Sequence, residues 1–291
     1  MKEKESMQVL CLGLATVDIQ YSLDMMPSRN EKVKVSPPLL SIGGPATNAA
    51  ILASVLGDSV MLHTAFGQNG FTPIFSEEMK RYNISCVDWI RSVPANPIIA
   101  SVFTHSDNGD RAIISSIPSS DFQGSRAQYA CGSMDAILVD GFYIPYSISV
   151  LSKLNNNDTY VIFDGGSWKE GLNALLKWVN IAVCSSDFYP PNCSSTKDVC
   201  DYLWTFPNIE NIVITNGSNP IQWFSRSEYG LIEVKRLEAV DTLGAGDFFH
   251  GALLYYITKK PFIEALKCAA DVASLSCQFY GTRTWFNKIE K

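Results

Sequence analysis

The chain has 291 residues, 46% of them hydrophobic and 18% charged, with a formal net charge of −6. This composition excludes an intrinsically disordered chain and suits one large domain with an embellishment, or two domains. The acidic balance argues against nucleic acid as the main partner, since that needs a basic face, but it permits a small anion held by backbone N–H groups.

In chain order, the apolar run after Met7 is short and is broken by Gly13 and Asp18. Neither a signal peptide nor a membrane span is expected there, and no later segment is long and apolar enough to span. Val9–Ala15 reads as a buried strand, Asn48–Gly57 as an Ala- and Leu-rich helix closed by Gly57, and Ser59–Gly67 as the next strand. Four more apolar runs follow: Ala136–Gly141, Tyr160–Gly166, Ile181–Ser186 and Asn211–Gly217. Helix-length segments such as Tyr146–Asn156 and Leu172–Asn180 separate them. This alternation predicts a doubly wound α/β fold, a mainly parallel sheet flanked by helices. Ligands in such sheets gather at the carboxyl ends of strands, where Asp18, Asp140, Asp164, Asp187 and Thr215 stand.

Two stretches break the pattern. Residues 19–42 alternate weakly and contain Pro27, Pro37 and Pro38. Residues 96–118 place two β-rich runs around Asp107-Asn108-Gly109-Asp110, a hairpin signal. Both fit a small β-sheet outside the main domain, either a lid over an active site or an ordinary surface hairpin. The expected partition is an α/β domain over 1–18, 43–95 and 119–291 and a β-lid over 19–42 and 96–118. Exposed edge strands of such a lid invite homodimer pairing.

The eight cysteines, Cys131 among them, form no C-x-x-C pair, and His63, His105 and His250 lack metal-ligand spacing. Reduced thiols in a cytoplasmic protein are expected, and the sequons at Asn83, Asn157, Asn192 and Asn216 are then silent. There is no G-x-x-x-x-G-K-S/T and no H-R-D or D-F-G set, which excludes a P-loop enzyme and a protein kinase.

The most informative segment is Asp241-Thr242-Leu243-Gly244-Ala245-Gly246-Asp247, which opens a helical run that stops at Pro261. Small residues at 244–246 let consecutive N–H groups approach a ligand at a helix N-terminus, where the macrodipole favours negative charge. That construction suits a phosphoryl group in flight. A carboxylate at Asp247 would repel phosphate unless it takes a proton from an attacking hydroxyl; the other reading of Asp247 is a helix cap. Phe248 and Phe249 fit core packing, and His250 fits a packed or supporting residue better than a catalyst.

This segment resembles the C-terminal signature of the PfkB/ribokinase family of carbohydrate kinases, D-T-x-G-A-G-D followed by a helix. The resemblance implies that Asp247 is the catalytic base and that Gly244, Ala245 and Gly246 form an anion hole. Ile42-Gly43-Gly44-Pro45-Ala46-Thr47-Asn48-Ala49-Ala50 is similar to the family's G-G-x-x-x-N-x-A motif, which implies sugar contacts by Gly43, Gly44 and Asn48; taken alone, Asn48 also reads as a helix cap. Gly13 and Asp18 match the first strand, where the family's Asp binds substrate, although a turn residue is the alternative for Asp18. Thr215 and Gly217 fall on the family's T-x-G turn, and with Asp241 and Thr242 they are the implied nucleotide-binding residues. Asp187 falls where relatives carry an acid near Mg²⁺, and Arg111 where a lid residue nears the substrate or a solvated hairpin charge stands.

The resemblance runs from Val9 to Arg283, with departures. Gly67–Phe71 lacks the acid of the family's G-x-D-x-x-G, and the usual final helix is missing after Arg283. GGPA and GDFFHGAL are locally similar to the sulfofructose kinase branch. The implied activity is transfer of the γ-phosphoryl group of ATP, with Mg²⁺ and in many relatives a monovalent cation, to a sugar hydroxyl. A nucleoside or a phosphorylated or sulfonated sugar as acceptor, and a catalytically silent regulator, stand as alternatives.

Overall fold

The computed structural model describes residues 6–116, 132–154 and 158–289. Cys131, Asn157, the last residues of the 96–118 stretch and part of the 146–156 helix lie outside them. The chain opens with β1 (Gln8–Leu12) and then gives β2 (Thr16–Leu23) and β3 (Leu39–Gly43) to a second sheet. It returns through α1 (Pro45–Leu56), β4 (Ser59–Thr64), α2 (Thr72–Arg81) and β5 (Ser85–Asp88), and leaves again for β6 (Ile99–His105) and β7 (Arg111–Ser115). Next come β8 (Ala136–Val139), α3 (Ile144–Leu151), β9 (Tyr160–Gly165), α4 (Leu172–Leu176), β10 (Ile181–Ser185), α5 (Thr196–Leu203) and β11 (Asn211–Asn216). The antiparallel β12 (Asn219–Ser225) and β13 (Tyr229–Ile232) extend the main sheet, and α6 (Ala245–Tyr256), α7 (Phe262–Ser276) and a short 3₁₀ turn at Phe286–Lys288, past Arg283, follow.

The main sheet has nine strands in the order β13-β12-β11-β10-β9-β8-β1-β4-β5, parallel from β5 to β11. Its strands read as continuous apolar runs because both faces are covered. In β1, Val9 and Cys11 pack with α1, α6 and α7, while Leu10 and Leu12 pack with α3, α4 and α5. The chain winds outward from β1 in both directions, through β4 on one side and β8 on the other, so the switch point lies where these three strands end.

Asp140 occupies that point. Its carboxylate accepts the N–H groups of Leu14 at 2.7 Å, Phe142 at 2.9 Å and Ala46 at 3.2 Å, joining the ends of β1 and β8 to the start of α1. Gly13 makes room for it, since a Cβ there would sit 2.1 Å from the carboxyl atoms. Burial pushes the Asp140 carboxyl up to about 6, against the pull of the Leu14 and Phe142 amides.

The smaller sheet has the order β3-β2-β6-β7, parallel only between β2 and β6. Its β6–β7 hairpin turns through Ser106–Asp110, where the sequence signal lay. The outer strand β7 is exposed along its whole length. The expected helices are present, but α4 is a single short turn of helix, and α1 begins at Pro45 rather than Asn48. Proline suits that first position because its missing N–H would have no helical partner. Phe248 and Phe249 are buried, no disulfide joins the seven described cysteines, and no helix among the described residues is long and apolar enough to cross a membrane.

Helices α1 and α6 cross closely. Gly251 lies so near α1 that a Cβ would meet the Ala49 carbonyl oxygen at 2.6 Å. Just beyond α6, the buried Lys259 ammonium bonds the buried Asp58 carboxylate at 2.7 Å. Burial holds the Asp58 carboxyl above its ordinary range, with Lys259 pulling the other way.

Two outcomes are expected from these contacts. Gly251→Ala forces the helices apart and costs about 1–3 kcal/mol of stability in denaturant titration. Lys259→Met leaves an uncompensated buried carboxylate and costs about 3–5 kcal/mol at pH 7. The second loss shrinks as the pH falls, because protonation of Asp58 removes the stranded charge.

Candidate functional site

The carboxyl ends of β9, β10 and β11 and the N-terminus of α6 wall a cleft of about 570 Å³. Asp164, Ser185, Thr215 and Gly217 line it from the strands, and Gly246 and Asp247 from the helix. Farther out its wall is apolar, with Ile221, Val234, Leu237 and Ala273, a surface suited to a flat ring.

Helix α6 starts at Ala245 behind Gly244, whose φ of 76° is the left-handed conformation that glycine adopts without strain. Asp247 is therefore the third residue of the helix, and it does not cap it. The Ala245 amide closes a turn on the Thr242 carbonyl at 3.3 Å. Among the described residues, the amides of Gly246 and Asp247 donate to no protein acceptor. Of the three expected amides, only that of Ala245 is spent; among the described residues those of Gly244 and Gly246 have no protein acceptor, and the neighbouring Asp247 amide stands beside them.

The Asp247 carboxylate stands between two regions. On one side it lines the cleft. On the other its Oδ2 accepts the Asn48 Nδ2 amide at 2.6 Å. Burial first, then the nearby Asp164 charge, push the Asp247 carboxyl up to about 7; the Asn48 bond and His250 oppose this, and Asp18 adds to it. Asn48 is buried four residues past the Gly44 cap of α1, so it does not cap the helix either. His250 is buried, with Nδ1 2.7 Å from the Gly246 carbonyl and 3.5 Å from Asp164, consistent with a supporting role.

Asp18 is buried in β2, not in a surface turn, and accepts the Thr16 hydroxyl at 2.6 Å. Burial holds its carboxyl above the ordinary range, opposed by the Thr16 hydroxyl and the Arg283 charge. The glycines beside it serve the protein's own groups. A Cβ on Gly43 would lie 1.9 Å from the Asp18 carboxylate, and one on Gly44 2.5 Å from the Leu14 carbonyl oxygen.

The small sheet reaches the cleft through its hairpin. Asn108, Asp110 and Arg111 line the cleft together with Thr215. The Thr242 hydroxyl donates to the Gly109 carbonyl at 3.1 Å and accepts from the Arg111 guanidinium. Asp241 is buried outside the cleft wall and works as a joint. Its carboxylate accepts the Leu243 amide at 3.0 Å, the Gly281 amide at 2.9 Å and the Gln20 side-chain amide at 2.5 Å. Asp187 sits exposed in the turn after β10 and does not line the cleft, whereas Asp164 does.

Sequence reasoning missed Arg283 and Glu78. The Arg283 guanidinium donates to Glu78 at 3.0 Å, to Asn48 Oδ1 at 2.9 Å and to the Ile42 carbonyl at 2.5 Å. Neither residue belongs to a motif, and no spacing in the sequence pairs positions 78 and 283. At the altered Gly67–Phe71 stretch, Asp88 from the end of β5 accepts the Phe66 amide at 3.0 Å and the Gly67 amide at 2.8 Å.

The family model described as pfkB family carbohydrate kinase matches residues 6–289. A ribokinase of Dictyostelium discoideum is 26% identical, with 96% of this chain and 97% of that protein covered. A deoxyribokinase of Salmonella typhi is 22% identical, with 98% and 97% covered. A solved ribokinase structure from Giardia lamblia superposes with a TM-score of 0.78 at 16% identity, covering 97% of this chain and 98% of that one, and so speaks for the fold. The chain belongs to the pfkB family of carbohydrate kinases, phosphotransferases with an alcohol group as acceptor.

Proposed function

We propose that the chain transfers the γ-phosphoryl group of ATP to a hydroxyl of an uncharged sugar, with Asp247 as general base. The observation that carries this reading is the place of Asp247, between the cleft that suits a nucleotide and the buried Asp18–Asn48 region that suits the acceptor. A carboxylate with a proton affinity near neutrality takes a proton from a hydroxyl far better than one at its ordinary value. The amides of Gly246 and Asp247, at the positive end of α6, meet the charge that spreads over the transferring group.

In this reading the apolar outer wall takes the base of the nucleotide, and Thr215, Gly217 and Thr242 take its phosphates. Mg²⁺ fits the donor set. It keeps several waters and needs only one or two carboxylates besides phosphate oxygens; Asp164 in the cleft is such a carboxylate, and Asp187, exposed in the turn after β10, is the second candidate. Bound there, the ion would neutralise phosphate charge. The small sheet acts as the lid, its hairpin held by Thr242 beside the unspent amides, and excludes water during transfer.

An uncharged acceptor is favoured over a phosphorylated or sulfonated one by the state of the nearby cation. All three nitrogens of Arg283, the cation beside Asp18 and Asn48, are taken by protein acceptors. Arg111, which lines the cleft, gives one guanidinium nitrogen to Thr242. The ribokinase and deoxyribokinase relatives put pentoses first among the candidates. A homodimer through the small sheet would use the exposed β7 edge with Ile113 and Ile114.

Coupled ADP release with Mg-ATP across pentoses, hexoses, ketoses, sugar phosphates, sulfosugars and nucleosides tests the activity. One acceptor should stimulate ADP release, and Asp247→Asn should lower its kcat by about 10²–10⁴-fold with the fold intact; near-normal turnover by that variant would sink the base assignment. The pH dependence follows from the raised carboxyl. Asp247 works deprotonated, so kcat/KM should rise with pH and level off above about 7, falling about tenfold per unit on the acid side. The same shift makes the ionised carboxylate a cost to folding above its ordinary range. Asp247→Asn should therefore melt no lower than the parent at pH 8.

A further inference from the structure

We infer that Arg283 is a positioning residue for phosphoryl transfer: it fixes the side-chain amide of Asn48 so that the NH₂, and not the carbonyl, faces Asp247. The inference rests on Asp247 being the base. Asn48 is buried, and its amide has two unlike ends. A guanidinium only donates hydrogen bonds, so the end of Asn48 that it meets, 2.9 Å from Nη1, must be the carbonyl Oδ1. Nδ2 is then left for Asp247, which it meets at 2.6 Å. An ionised carboxylate only accepts, so this orientation matches the proton-free base. The reversed amide would place Oδ1 against the carboxylate and would suit only its protonated form.

Arg283 is itself clamped. Nε donates to Glu78 Oε1 at 3.0 Å and Nη2 to the Ile42 carbonyl, while Glu78 Oε2 accepts the Ile42 amide at 3.0 Å. The pair is largely buried, with side chains 16% and 11% exposed. Both backbone polar groups of Ile42 are thus bracketed one residue before Gly43, against which Asp18 rests. A planar fork serves Glu78, Asn48 and Ile42 together. A lysine ammonium, as a point charge, replaces this only in part.

The test uses Arg283→Met, Arg283→Lys, Asn48→Ala and the Arg283→Met/Asn48→Ala double variant, each checked by thermal melting. Turnover is read with Mg-ATP and a mixture of D-ribose, 2-deoxy-D-ribose and D-fructose. Arg283→Met should lower kcat by about 10–100-fold with KM for ATP within about twofold, the pattern of a misplaced catalytic group and not of lost ground-state binding. Arg283→Lys should recover part of the loss, and the double variant should be no slower than Asn48→Ala alone. Independently of any acceptor, the side-chain amide signals of Asn48 in ¹⁵N-labelled protein, identified by their loss in Asn48→Ala, should move in Arg283→Lys and in Asp247→Asn. A folded Arg283→Met with unchanged kcat, additive losses in the double variant, or Asn48 signals indifferent to position 283 would overturn the inference. Full turnover by Asp247→Asn with Asn48 signals that still respond to Arg283 would remove the base reading and leave the amide clamp standing.

Discussion

The site depends on one close approach. Helices α1 and α6 are brought together where Gly251 meets the Ala49 backbone, and this puts Asn48 against Asp247 across 199 residues of sequence. Each helix presents its N-terminal turn at the same rim, α1 behind Gly44 and α6 behind Gly244. The far end of α6 is tied down by the buried Lys259–Asp58 pair. A side chain at 251 would act on this geometry from a full turn away from the carboxylate.

The price of that geometry is electrostatic. Asp18, Asp140 and Asp164 are buried near one rim and Asp247 is half-buried there, and desolvation raises the proton affinity of Asp18, Asp140 and Asp247. The compensations differ by position. Asp140 is ringed by backbone amides and works as a structural clamp, whereas Asp247 receives a single amide and stays basic. The same carboxyl group thus meets different surroundings at a strand end and at a helix start.

Asp241 and Thr242 connect the two sheets. Through Gln20 the Asp241 carboxylate reaches β2, which also pairs with β6 of the hairpin, and through Gly281 it reaches the segment that carries Arg283. Thr242 grips the hairpin itself at Gly109 and Arg111. The small sheet is thereby linked to the N-terminus of α6, a few residues before Asp247.

Much of this was legible in the residues. Apolar runs ending in Gly, Asp or Thr specified a parallel sheet because strands covered on both faces have no polar side to show. The Asn-Gly turn marked the hairpin, and the G-A-G-D string marked the glycine-led start of α6, since both depend on local backbone chemistry. Local chemistry also left Asn48 and Asp247 divided between helix caps and functional groups. Tertiary structure removed the cap reading by beginning the helices at Pro45 and Ala245, and it brought the two side chains together. It alone revealed the Glu78–Arg283 clamp, made Asp241 a buried joint, and put Asp164 in the cleft while Asp187 stayed outside. Those outcomes depend on which elements cross and how closely, and contacts between residues hundreds of positions apart leave no period or spacing in a single chain.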